Sequence, residues 1–188
     1  GKMKHVFLVL ATAIIAVTSS YSFGMSTIGE KGDDSLFVSE EGKFSVDFLG
    51  ATPGFSSTNV DTDVGSIVLN MYMYEKGEDQ AFMVAYCDYP PEMVDESDGA
   101  IGLLEGAKNG ALGNLNIEGP ETENDIELDG HQGMSFSANN GEFFVTYEIY
   151  LVGNRLYQIA ILRLGEYASK KDKKTFMKSF QLISEEKK

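Results

Sequence analysis

A cysteine nucleophile with a histidine base could be formed by only one pair of residues in this chain. Cys87 is the single cysteine, and His131 is the single histidine beyond residue 22. A cysteine nucleophile needs a base within hydrogen-bond reach, so these two side chains would have to meet in the fold. Cys87 lies in an apolar segment, where a cysteine is typically a small buried residue. His131 follows Asp129-Gly130, which is typical of a turn. We therefore predict no catalytic residue.

Acidic clusters are the remaining candidates for binding a cation. One cysteine and one histidine are too few for a structural zinc site. Calcium prefers carboxylate oxygens, and three acidic stretches could supply them: 61–63, 95–98 and 121–125. None has the spacing of a dedicated calcium loop, and acidic proteins carry such clusters by composition. We expect no cofactor, with calcium as the alternative.

The amino-terminal residues are typical of a secretory signal peptide. Two lysines, Lys2 and Lys4, precede the apolar run Val6–Val17, and small residues follow up to Ser22. The run is shorter than the ~20 residues that a membrane-spanning helix needs. We therefore predict cleavage of a signal peptide, residues 1–22, and a periplasmic or secreted protein. An uncleaved anchor is the alternative.

The mature chain should consist of one domain behind a short leader. Residues 23–35 are rich in glycine and charge, which is typical of a flexible leader. Residues 36–184 carry the alternating apolar patterns of a folded domain and form, on this reading, a single domain. With one cysteine, no intramolecular disulfide can form, so packing must supply the stability.

The charge balance restricts the partners. The chain has 29 acidic and 15 basic residues, with a formal net charge of −14 at pH 7. Cleavage would remove two lysines and no carboxylate, which lowers the net charge to −16. A surface this acidic repels nucleic acid and anionic lipid. We therefore expect no nucleic-acid partner and no membrane contact beyond the signal segment.

One hairpin organises the predicted fold. The stretch Phe143–Leu164 contains two apolar runs that fold back at Gly153-Asn154, a pair typical of a two-residue turn. This spacing places Tyr150 opposite Tyr157. Because neither face of the hairpin is uniformly polar, we expect it to be covered on both sides.

Alternating segments elsewhere predict the strands 36–38, 43–49, 64–74, 80–89, 126–128 and 133–138. We expect Gly50–Asn59 and Glu118–Asp125 to be loops, because they are rich in proline, glycine or charge. A second tight turn at 140–141 predicts Phe136 opposite Val145.

Two helices complete the pattern. Glu92–Leu115 has helical length and a buried stripe, and its glycines share a second stripe that indicates close packing or a broken helix. Ser169 should cap a terminal helix that closes over the sheet with Phe176 and Phe180. Together with about six to eight strands, these helices predict an α+β fold, an antiparallel sheet flanked by two main helices.

Four segments resemble the PsbP-like superfamily: KFSVDFLGATPGF, IELDGHQGMSF, LVGNRLYQIAI and FMKSFQL. That superfamily includes the photosystem II extrinsic protein of that name and exported bacterial proteins of unassigned role. The resemblance covers most of residues 36–182. It implies an α/β/α sandwich and a non-enzymatic, partner-binding role, and it carries over no site residue.

Two surface features are candidate partner-binding sites. Tyr150 and Tyr157 could form an aromatic platform, or they could pack under a helix. The terminal helix carries a basic face on a very acidic molecule. Its lysines could dock an acidic partner or a second copy through opposite charges, or they could be a solvated face; the residues predicted for docking are Lys170, Lys171, Lys174 and Lys178.

The predicted function is an exported, non-catalytic binding or assembly module of the cell envelope, with an unidentified envelope protein as partner. One alternative is a small hydrolase that uses surface carboxylates or Cys87. Another is a carrier of a small apolar ligand between sheet and helix, favoured by eight methionines and twelve phenylalanines.

Overall fold

The computed structural model describes residues 35–62, 65–96 and 99–183. The predicted signal peptide and most of the predicted leader lie outside these residues. The strands are β1 (Phe37–Ser39), β2 (Phe44–Val46), β3 (Gly54–Thr62), β4 (Gly65–Lys76), β5 (Gln80–Asp88), β6 (Thr122–Leu128), β7 (His131–Asn139), β8 (Phe143–Val152), β9 (Arg155–Leu164) and β10 (Gln181–Leu182). The helices are α1 (Pro91–Glu96), α2 (Ala100–Asn114) and α3 (Lys170–Met177).

The strands form two antiparallel sheets. The larger sheet has seven strands in the order β3-β4-β5-β9-β8-β7-β6, and the smaller has the order β1-β2-β10. Strands make up 50% of the structure and helices 20%. The predicted α+β class with two main helices and an α/β/α sandwich was therefore wrong, because the described chain is mostly β and its helices are mainly small.

Two segments predicted as loops are strands. Most of Gly50–Asn59 lies in β3, and half of Glu118–Asp125 lies in β6. These strands form the two outer edges of the larger sheet. An edge strand meets solvent along one side and favours polar or charged residues there, so its sequence does not show the apolar alternation by which a central strand is recognised.

The hairpin β8-β9 has the predicted register, with Tyr150 opposite Tyr157 and Gly153 at a φ of 62° in the turn. The register of β7 against β8 differs from the prediction by two residues, since Phe136 lies opposite Tyr147. Asn140 lengthens that turn, because its Oδ1 accepts hydrogen bonds from two following backbone nitrogens. A shift of two residues keeps every side chain on its predicted face.

Both faces of the larger sheet are covered, as predicted for the hairpin. One face, here called the helical face, packs against α1 and α2 and includes Met83, Ala85 and Gln158. The opposite face, here called the aromatic face, packs against the smaller sheet and α3. Rings from all three of these elements meet there, among them Phe44, Phe82, Tyr86, Tyr150, Tyr157, Phe176 and Phe180.

The predicted helix Glu92–Leu115 is two helices. Gly99, at a φ of 71°, precedes α2 and separates it from α1. The predicted buried stripe of α2 is confirmed, since Leu104, Ala107 and Ala111 are buried. The glycine stripe lies on the other side of α2. Gly106 and Gly113 are exposed, and a Cβ added at either position would meet no other atom, so close packing does not explain them.

Candidate functional site

A helix cap, an ion pair and a buried ring hold α3 in place against the larger sheet. Ser169 caps it as predicted, because its Oγ accepts a hydrogen bond from the backbone nitrogen of Asp172 at 3.1 Å. The buried carboxylate of Asp172 accepts a hydrogen bond from Nζ of Lys76 at 2.8 Å. Phe176 is 0% exposed against the aromatic face. The apolar side of α3 is therefore inside, and its remaining surface faces outward.

The outward surface of α3 carries lysines, and we call it the lysine face. Four of the lysines are exposed, namely Lys170, Lys171, Lys174 and Lys178. Among the described residues, neither these four nor the half-buried Lys173 makes an ion pair. Cations elsewhere that do contact a carboxylate are Lys76, Lys108, Arg155 and Arg163. The basic charge of α3 is therefore left open to solvent on a chain with an excess of acidic residues.

Helix stability does not account for the lysine face. Lys170, Lys174 and Lys178 follow one another at intervals of four, and like charges at that spacing destabilise a helix by about 0.2–0.5 kcal/mol per pair. Lys170 and Lys171 also lie in the first turn, where the helix dipole is positive and a cation costs about 0.3–1 kcal/mol. A sequence selected only for a stable helix would not place Lys170 and Lys171 in the first turn, although Lys174 in the last turn suits the dipole.

The two predicted site tyrosines are inside the protein. Tyr150 is 6% exposed and Tyr157 is 2% exposed, and both rings contact Phe180. Tyr157 donates its hydroxyl hydrogen to the backbone oxygen of Gly42, and Tyr150 donates to a carboxylate oxygen of Glu148. Burial raises the pKa of both hydroxyls. Tyr157 therefore ties the turn before β2 to the larger sheet, and neither ring is exposed as an aromatic platform for a partner.

Cys87 and His131 do not meet. Cys87 is 1% exposed on the helical face, which confirms it as a buried core residue. Burial raises the pKa of its thiol to about 12, so the thiolate is scarce at neutral pH. His131 begins β7, which is three strand spacings from β5, or about 14 Å. This geometry does not support a cysteine–histidine nucleophile pair.

Of the three acidic stretches, only 121–125 is described in full, and two of its carboxylates already have partners. Glu121 accepts hydrogen bonds from Tyr167 and Asn139 at 2.6 Å each, and Glu123 forms an ion pair with Lys108 at 2.8 Å. These bonds tie β6 to its surroundings. The stretches 61–63 and 95–98 lie partly outside the described residues. Within the part of the chain that the structure describes, no group of three or more potential ligands could hold a metal ion.

The helical face contains polar atoms that sequence patterns do not reveal. Gln158 is 1% exposed at the centre of the sheet, and neither atom of its amide has a hydrogen-bond partner among the described residues. The buried hydroxyl of Tyr147 is likewise unpartnered within the described chain. Their neighbours Ala85 and Ala160 are 0% exposed. This layer is closely packed, so a ligand would have to displace side chains to reach the amide.

No protein-family model matches the chain, and no curated protein matches it significantly. None of the helices in the described residues is long and apolar enough to span a membrane.

Proposed function

We propose that the protein is an exported, non-catalytic binding or assembly module that docks an acidic protein through the lysine face of α3. The observation that carries this proposal is the set of exposed lysines that form no ion pair with any described residue, two of them in the first turn, where a cation is unfavourable for the helix. An acidic partner would offset both the like-charge repulsion and the dipole.

Electrostatics give the lysine face a function in recognition. Charges at the solvent-exposed rim of a protein–protein interface chiefly set the association rate and the choice of partner. Their effect falls as ionic strength rises. The whole chain, with a net charge of −14, repels nucleic acid and anionic membranes because they cover a large part of its surface. A protein segment with a few carboxylates is small enough to reach α3 without facing the rest of that surface.

The carrier and hydrolase alternatives have less support. The helical face is closely packed around Gln158, and the Cys87 thiol is buried with a raised pKa. Neither the amide of Gln158 nor the thiol of Cys87 is accessible from solvent. The binding proposal uses groups that are already exposed.

A labelled peptide of about eight glutamates tests the proposal by fluorescence anisotropy. The fourfold variant K170Q/K171Q/K174Q/K178Q should weaken binding at least about tenfold at low salt. Moderate salt should weaken binding to the unmodified protein in the same way. Binding that is indifferent to both changes would overturn the proposal.

Two matched variants distinguish an effect of the lysine face on binding from an effect of the net charge. The fourfold arginine variant K170R/K171R/K174R/K178R keeps every charge and should keep binding. The variant N109D/N116D/N124D/Q132E changes exposed residues far from α3 in sequence. It lowers the net charge by the same four units as the glutamine variant, and it should bind nearly as well as the unmodified protein.

A further inference from the structure

The two outer edges of the larger sheet differ in a way that suggests a second interaction surface. An edge strand presents unpaired backbone N–H and C=O groups that can pair with another strand. Proteins block such edges with charges, proline or bulges. In the described chain, β6 has such protection and β3 has little.

Strand β6 repels a copy of itself. Its exposed residues include Glu123, Asp125 and Glu127. Antiparallel pairing of two β6 strands about Asp125 would place that residue against its own copy, and Glu123 against Glu127. Like charges directly opposite one another are destabilising, so this edge is closed to self-pairing.

Strand β3 is a long, regular edge with one charged residue, Asp61. It pairs with β4 over nine consecutive residues, from Gly54 to Thr62, without a bulge. The residues after its first glycine include no proline and no lysine, and Ser57 and Asn59 are exposed. Along the nine residues of β3, no bulge or kink interrupts the edge, and Asp61 is the single charged residue.

The sequence of β3 is complementary to itself. If two copies pair antiparallel about Thr58, Ser57 of one lies opposite Asn59 of the other, and Phe55 lies opposite Asp61. Hydroxyl and amide side chains at directly opposite positions can form hydrogen bonds, and no like charges face each other. We propose that β3 pairs with β3 of a second copy across a two-fold axis, which joins the two larger sheets into one.

This interface is independent of the lysine face and has the opposite response to salt. Two chains that each carry −14 repel one another at long range, and salt screens that repulsion. Backbone hydrogen bonds between edge strands are not weakened by screening. Dimerisation through β3 should therefore persist or strengthen as salt is added, whereas docking of an acidic peptide on α3 should weaken.

Light scattering of the purified chain at about 100 μM tests the proposal. The unmodified protein should have twice the monomer mass at moderate salt. The variant S57K/N59K and the variant S57E/N59E each place like charges opposite one another, so each alone should dimerise at least about tenfold more weakly. A one-to-one mixture of the two should recover the dimer, because lysines then face glutamates. A monomeric unmodified protein, or a mixture that stays monomeric, would overturn the proposal.

Disulfide trapping reports the register. Thr58→Cys would place two thiols opposite one another across the axis, within the ~4.4–6.8 Å Cα separation that a disulfide needs. Ser56→Cys would place its two thiols about 13 Å apart along the strands, too far to bridge. Cys87 is buried and does not compete. Crosslinking of Thr58→Cys alone supports the register, and crosslinking of Ser56→Cys, or of neither variant, contradicts it.

Discussion

Neutralising the first lysines of α3 should make the fold more stable while it weakens binding. The variant K170Q/K171Q/K174Q removes two cations from the positive end of the helix dipole and two like-charge pairs at intervals of four. Each such cation costs about 0.3–1 kcal/mol and each such pair about 0.2–0.5 kcal/mol. The variant also removes Lys174 from the last turn, where the dipole favours a cation. The loss of Lys174 offsets about 0.3–1 kcal/mol of this gain, so we expect the free energy of unfolding to rise by about 0.5–2 kcal/mol at low salt.

A more diffuse effect also opposes this gain. The net charge falls from −14 to −17, which adds diffuse repulsion, but most of that repulsion acts beyond the Debye length of about 10 Å at 0.1 M salt. The local terms should therefore dominate. Urea titration followed by circular dichroism, at low and at moderate salt, measures the change, and the gain should shrink as salt is added.

Two controls isolate the cause. Lys178→Gln changes a lysine at the carboxyl end of α3, where the dipole favours a cation, so it should raise stability little or lower it. The charge-preserving variant K170R/K171R/K174R should leave stability nearly unchanged. If K170Q/K171Q/K174Q were less stable than the unmodified protein at low salt, the argument that the lysine face is unfavourable for the helix would be wrong.

Three further predictions, on two glycines, a buried glutamine and the buried cysteine, are tested by urea titration of four variants. Gly133→Ala should lower the free energy of unfolding by about 3 kcal/mol, because its Cβ would overlap the Tyr150 ring and lie 2.5 Å from a backbone oxygen. Gly106→Ala, where the added Cβ would lie in open space, should raise the free energy of unfolding by about 1 kcal/mol. Changes of the same sign in the two glycine variants would contradict this reasoning. Gln158→Leu should raise that free energy by about 1–3 kcal/mol, since it removes an unpartnered buried amide; a loss of stability would reveal a partner. The folded Cys87 thiol keeps its proton up to a pKa of about 12, against 9.0 for an ordinary thiol. Its contribution is therefore complete below pH 9 and falls by about 1.4 kcal/mol per pH unit above it. Cys87→Ala should flatten the alkaline slope, and parallel slopes would refute the assignment.

The strands whose neighbours are close in the chain could be predicted from the sequence. Gly153-Asn154 and the alternation around it determined the register of Tyr150 against Tyr157, because a two-residue turn allows few alternatives. The turn at Asn140 was misjudged by two residues, since the side-chain hydrogen bonds that lengthen it leave no apolar pattern. Ser169 was found as a helix cap because capping depends on residues within one turn.

The edge strands and the burial of the two candidate tyrosines could not be predicted in the same way. Strand β3 consists of small polar residues and reads as a loop until β4 is known to pair with it. Tyr150 and Tyr157 looked suitable for an exposed platform, because their pattern does not reveal that Phe180 and the smaller sheet cover them.

The sequence by itself determined which residues share a face, which residues form the tightest turn, and the acidic character of the chain. These properties depend on periodicity, on local backbone preference and on composition. Only the tertiary structure decided which faces are covered, which lysines contact no carboxylate of the described chain, and which strands are left at an edge. Those outcomes depend on elements that lie far apart in the chain, and a local pattern carries no information about which of them will pack together.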